Sequence, residues 1–305
     1  MNQRFVYAGT YTDKKAEGIY RFSFDKGVLK EPELFCRIAS SKYLCQYEDR
    51  IVALCDFEEG SGAALIDKDG SVIDRIIYEK PTSCYVTARG DEIYTANFHA
   101  GTVSRMRIAN DRIEFINRTE IKKGAGCHQV LFSKDRIMVP CLFLDKVVVL
   151  DEKLEILSEI GFPSGSGPRH GVFSDDGRYL YLVSELSNEL FVIDTETEAI
   201  INRTALLETV RVEGTAAIRK RNGMLYVSTR GEDVISVIDL NGLHLKQVKK
   251  CGGSHPRDIL IIDDCLLCAN RFSDSVTSFR INEDGSIGDM ISKINVPDAV
   301  SLICV

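Results

Sequence analysis

PRHGVFSDDGRYLYLVSELSNELFVID, residues 168–194, holds three apolar runs separated by polar turns. The turn Asp175-Asp176-Gly177 has hairpin chemistry, since Asp and Gly accept the backbone angles of a tight reversal. Strands joined by such a turn are antiparallel, so the first residues of one lie beside the last residues of the other. Arg169 and His170 open the first run and Glu185 closes the second. The hairpin therefore predicts all three at one end, with the Asp-Asp-Gly turn at the far end.

The same plan recurs along the chain. EIYTANFHAGTVSRMRI begins at Glu92, RIMVPCLFLDKVVVLD at Arg136, MLYVSTRGEDVISVID at Met224 and CLLCANRFSDSVTSFRI at Cys265. Each is an apolar strand, a short polar patch and a second apolar strand. Each is preceded by a further short strand (SCYVTAR, CHQVLFS, GTAAIRK, PRDILII) and followed by a weaker one. The spacing of about 40 to 46 residues is the period of a four-stranded propeller blade, and long helical periodicity is absent. Six blades are predicted near residues 42–78, 81–120, 126–160, 168–204, 214–249 and 255–293. One strand from Val296–Val305 and three from Phe5–Ile38 remain, enough for a seventh blade that closes the ring and removes its exposed edges. The fold class is all-β, a seven-bladed β-propeller, with residues 1–305 as one domain.

Composition agrees with this and narrows the partners. A chain of 305 residues suits two ordinary domains or one large all-β domain, and 44% hydrophobic residues suffice for a core. A net charge of −7 argues against a nucleic-acid partner, which needs a basic footprint. No run is long enough to span a membrane and no export signal opens the chain, so a cytoplasmic location is expected. The ten cysteines then read as reduced thiols, mostly packed in apolar runs. CLLC at 265–268 has CxxC spacing, but on a strand these positions face opposite sides, so no metal site is expected.

Applying the hairpin rule to every blade gathers polar residues at one mouth of the channel. They are Asn97 and His99; His128; Arg169, His170 and Glu185; Arg230; His255, Arg257, Asp258, Asn270 and Arg271; and Tyr11 and Thr12 from the closing blade. Four of the five histidines are among them, and only His244 falls on an outer strand. A concave basic mouth on an acidic protein attracts a small anion, and the guanidinium fork suits carboxylate or phosphate. Ordinary ties between blades account equally for single members such as Arg230 or Asp258.

YAGTYT, CHQVLFS, GPRHGVFSDDGRYLYLVSELSN, HPRDI and ANRFSDSVTSFRINEDG resemble the lactonase family of seven-bladed propellers. That family includes the propeller-type 6-phosphogluconolactonases and the carboxy-cis,cis-muconate lactonizing enzymes. The resemblance implies a small-molecule site at one mouth, with His128, Arg169 and Glu185 in the catalytic positions. It departs from the family at three places: Gly126 where many members carry a further histidine, Tyr85 where many carry His, and Cys141 where many carry Asp. The leading expectation is hydrolysis of a phosphorylated or carboxylated sugar lactone without a cofactor. His128 is preferred over Glu185 for proton transfer, because a carboxylate beside an arginine keeps a low pKa and is a poor base. Arg230, Arg257 and Arg271 are expected on the anion, and Asn97, His170, His255 and Asn270 around the substrate. The alternatives are a muconate-type cyclase and a propeller that binds a small anion without turnover.

Overall fold

A computed structural model describes residues 4–12, 15–207 and 214–305. It contains seven antiparallel sheets arranged as blades. Blade I runs Leu44–Tyr47, Arg50–Phe57, Gly60–Ile66 and Val72–Glu79 from the innermost strand outward. Blades II to VI repeat this order, with innermost strands Tyr85–Arg89, Leu131–Ser133, Pro168–Phe173, Thr215–Arg221 and Pro256–Ile262. Blade VII closes the ring as expected. Its innermost strand is Ala299–Cys304, paired with Arg4–Thr10, which pairs in turn with Gly18–Asp25. Glu33–Arg37 and the short Val28–Leu29 complete it. Among the described residues no helix is long and apolar enough to cross a membrane.

The core lies between blades. Strand Arg50–Phe57 shows how sequence builds it: Ile51, Ala53 and Cys55 pack toward blade VII, while Val52 and Leu54 pack toward blade II. Alternate residues thus serve opposite faces, and both faces are covered. This is why the middle strands read as unbroken apolar runs rather than as polar–apolar alternation. A hydrophobic cluster of this kind fills each of the seven blade interfaces. Each fully buried Leu, Ile or Val contributes about 1.5–3 kcal/mol. The CxxC pair follows the same rule: Cys265 packs toward blade VII and Cys268 toward blade V.

The turn after the second strand is built alike in several blades and positions the mouth. Its fourth residue has a left-handed backbone at Gly101, Asp145, Asn188, Asp233 and Asp274, residue types that tolerate this conformation best. Its first two amides are tied to the segment before the innermost strand. Glu185 N donates to Gly167 O at 2.7 Å and Leu186 N to Ser166 O at 3.1 Å. Leu142 and Phe143 do the same onto Gly126 and Ala125, and Arg271 and Phe272 onto His255 and Ser254. The mouth is therefore a rigid rim of hydrogen-bonded turns.

Candidate active site

In blade IV, Pro168 pairs with Ser184 and His170 with Val183, so Arg169 is an extra residue in the strand. Arg257 is inserted in the same way in blade VI, and Val300 in blade VII. Such a bulge re-aims the side chain that it carries. All three line the head of the central channel. The equivalent positions in blades I to III are Lys42, Cys84 and His128, which line it too. One repeat position thus supplies a residue to the wall from each of six blades.

The cavity has two parts. The outer part measures about 180 Å³ and is bounded by Tyr11, Lys42, Thr82, Cys84, Phe98, His99, His128, Glu185 and Arg257. At about 30 Å³ of liquid volume per water, that is room for about six waters and hence for a small ligand. The inner part, about 20 Å³, is walled by Tyr43, Arg169, His170, Asp258 and Val300 together with residues of the outer part. It is water-sized.

The hairpin of blade IV delivers what its sequence promised. Glu185 lies between two arginines, with Arg169 Nε at 2.7 Å and Arg230 Nη2 at 2.8 Å from its carboxylate oxygens. Burial raises the Glu185 pKa, but the charges of Arg169 and Arg230 outweigh it and hold the carboxyl below its usual range. Arg169 is 2% exposed, and burial pulls its pKa down to about 9 against the support of Glu185. It remains a cation at neutral pH. Its Nη1 donates to Ala216 O, and its Nη2 makes no hydrogen bond among the described residues.

Close approach of backbones supports this clamp. A Cβ on Gly214 would fall 1.4 Å from Glu185 O, and Gly214 O accepts from both Arg230 N and Arg230 Nε. Gly214→Ala is therefore expected to displace the Glu185 turn and to cost about 3 kcal/mol through overpacking, read by thermal unfolding. An unchanged melting temperature would contradict the close approach.

His128 and His170 come from adjacent blades and meet, with Nδ1 of His128 at 3.1 Å from Nε2 of His170. Burial, then the charges of nearby Arg169, hold both well below the usual histidine pKa. Both rings are neutral at pH 7, and one nitrogen of the contact donates while the other accepts. His170 Nδ1 is buried without a hydrogen-bond partner. Tyr43 and Tyr85 stand edge-on to His170, with ring centroids 6.4 and 5.8 Å away. Tyr85, one of the family departures, thus packs against His170.

Two cations are differently placed. Lys42 and Arg257 have no carboxylate within ion-pair distance among the described residues. Lys42 Nζ reaches Thr82 O at 3.4 Å, and Arg257 Nη2 reaches the Tyr11 hydroxyl at 3.4 Å. Burial favours the neutral Tyr11 phenol, but Arg257, Lys42 and Arg271 outweigh it and pull its pKa below the ordinary value. Arg257 feels the Glu185 carboxylate only at longer range.

Other residues of the expected mouth are occupied elsewhere. Asn97 is buried in the turn, donating to Glu79 and to Pro81 O and accepting from His99 N and Ala100 N. Asn270 donates to Cys268 O and Thr277 Oγ1. Arg230 is committed to Glu185 and Gly214. Arg271 lies 3.5 Å from Asp298 and stacks over the Tyr11 ring at 4.1 Å, so it braces the wall from behind. His255 stacks on Phe272 with centroids 3.9 Å apart. Thr12 accepts from Ser40 N. Asp258 pairs with Arg219 at 2.8 Å and accepts from Leu302 N, tying blades V, VI and VII together. The reason is common to all: these side chains leave the strand where the turn or the next blade offers the nearer partner. Lys42 and Cys84 are among the lining residues not expected from sequence, with Tyr43, Thr82, Phe98 and Val300. The signal of Lys42 and Cys84 was present, since SKYL and TSCYV align with GPRHG at the repeat position of Arg169.

The family described as "Lactonase, 7-bladed beta-propeller" matches this chain over residues 5–305. A 6-phosphogluconolactonase of Bacillus subtilis is 26% identical over 97% of each chain. An uncharacterised protein of Staphylococcus aureus is 30% identical over 92% of this chain and 94% of its own length. The solved structure of a Lactobacillus plantarum protein superposes with a TM-score of 0.91 at 25% identity, over 100% of both chains. The periplasmic gluconolactonase of Pseudomonas aeruginosa shares the fold, with a TM-score of 0.86 at 22% identity over 100% of this chain and 99% of its own.

Proposed function

We propose, from the premise that the chain belongs to the seven-bladed β-propeller lactonase family, that it opens an anionic sugar lactone by hydrolysis, with 6-phosphogluconolactone as the reference substrate. The observation that carries this reading is the convergence on one cavity of a neutral histidine, His128, with two cations that have no carboxylate partner, Lys42 and Arg257. A lactone phosphate needs a charge clamp at one end and acid–base chemistry at the other.

Hydrolysis requires water to add to the carbonyl carbon while it loses a proton, and then the ring C–O bond to break while the departing oxygen gains one. A neutral imidazole serves both steps, first as base and then as acid. His128 has this form, with Nδ1 engaged by His170 and Nε2 remaining for the reacting groups. The carbonyl oxygen becomes an oxyanion in the tetrahedral intermediate, and a fixed buried cation stabilises it. Arg169 fills that role through its uncommitted Nη2. Glu185 does not act as the base here. It neutralises Arg169 and Arg230 and fixes their direction. Lys42 and Arg257 hold the phosphate, in place of the Arg230 and Arg271 expected from sequence.

The test is ring opening of freshly generated 6-phosphogluconolactone against the spontaneous background, beside unphosphorylated gluconolactone. Lys42→Ala is expected to raise KM for the phosphorylated lactone about tenfold, a loss typical of one charge-assisted hydrogen bond, with little change for the other. No acceleration by the wild type refutes the hydrolase reading. An equal effect on both lactones refutes the phosphate role of Lys42.

A further inference from the structure

Three of the turns at the mouth end of the propeller carry large exposed apolar side chains, which a sugar phosphate does not need. The turns after the second strands of blades III, IV and VI carry Phe143, Leu186 and Phe272 at their apices, exposed by 59%, 42% and 55%. A turn apex in water is ordinarily polar, and large apolar side chains exposed together around a cavity mark a binding surface. These are not loose loops, because the apex amides are tied to the chain before each innermost strand.

Two of the three adjoin the reacting end. The Phe143 ring lies edge-on to Phe98 at 5.2 Å, and Phe98 lies edge-on to His128 at 5.7 Å. Gly126 leaves room for this arrangement: a Cβ there would come within 3.2 Å of the Phe143 ring. Leu186 follows Glu185 directly and lies over Gly167, where a Cβ would meet its Cγ at 2.7 Å. An apolar path thus leads from the rim down to His128. Lys42 and Arg257 come from blades I and VI.

We propose that the preferred ligand is amphipathic: an anionic lactone carrying an apolar aryl or alkyl arm, with the anion at Lys42 and Arg257 and the arm lying across Phe143 and Leu186. This rests on the lactonase reading for the reacting group, but the arm is testable without turnover. The probes are 4-phenylbutyl phosphate and 4-hydroxybutyl phosphate, titrated calorimetrically into the wild type and into the double variant Phe143→Ser, Leu186→Ser. Both positions are exposed, so the substitutions leave the core intact, and a melting curve checks this.

The wild type is expected to bind the phenyl compound at least tenfold more tightly than the hydroxyl compound, and the double variant to bring the two within about twofold. Equal affinities in the wild type, or a gap that persists in the variant, overturn the proposal. So does a wild-type dimer in solution that the double variant dissolves, since the rim would then face a second copy. Failure of every lactone to open, with the titrations as expected, removes the hydrolase reading and leaves the amphipathic ligand standing.

Discussion

His128→Ala is expected to lower kcat for lactone opening by about a hundredfold or more, the loss typical of removing a positioned proton-transfer group. Two features of the site carry the expectation. The ring lies in the cavity wall with Lys42, Arg257 and Glu185. Its neutrality follows first from burial and then from the positive charge of Arg169 and Arg257, all of which oppose a further cation. A pH consequence follows. A base acts when deprotonated, and His128 stays deprotonated until the pH falls well below the ordinary histidine value of about 6.5. After subtraction of spontaneous opening, kcat is expected to be flat from about pH 6 to 8. An acid limb centred near 6.5 would show an ordinary, solvated histidine and overturn this assignment. A variant that retains most of its rate would remove His128 from the chemistry.

Glu185→Gln is expected to destabilise the fold by about 3 kcal/mol, because removing one partner leaves buried charge without compensation. The side chains of Arg169 and Arg230 are 2% and 9% exposed and both converge on this carboxylate. Glutamine keeps the shape but leaves two cations facing each other. The pH dependence has a definite sign. The folded pKa of Glu185 is depressed, so its contribution is complete above the ordinary glutamate value of about 4.5 and is lost as the pH falls through the lower folded value. The melting temperatures of wild type and variant should differ at pH 7 and converge in acid. Equal melting temperatures at pH 7 would mean that Glu185 does not hold the arginines.

Much of this site was readable from local sequence. The blade IV hairpin required Arg169 and Glu185 to share an end, since the turn Asp175-Asp176-Gly177 and the alternation of the strands are local properties. The 2.7 Å contact between them is the consequence. The same reasoning put Asn97 and Asn270 at the mouth around a substrate; in the structure their amides bond to Glu79 and Pro81 O, and to Cys268 O and Thr277 Oγ1. A strand pattern locates a backbone position; it does not choose between the channel and a turn amide a few ångströms away. The sequence also suggested that all mouth arginines serve the ligand. Their division into Arg257 on the cavity, Arg230 on Glu185 and Arg271 on Tyr11 depends on which carboxylate or ring the next blade presents.

What the sequence by itself determined is the ring of blades, its closure by the two chain ends and the mouth where chemistry-bearing residues collect. Repeat period, strand alternation and turn composition act over a few residues, or recur at a fixed spacing, and so are written linearly. Tertiary structure alone decided that His128 meets His170 across a blade boundary, that bulges turn Arg169 and Arg257 toward the channel, and that Lys42 stands among them without a carboxylate. The bulges depend on how neighbouring strands pair, and the other two outcomes on residues from different blades. There the competition among burial, charge and the nearest available partner is settled only once the blades are packed side by side.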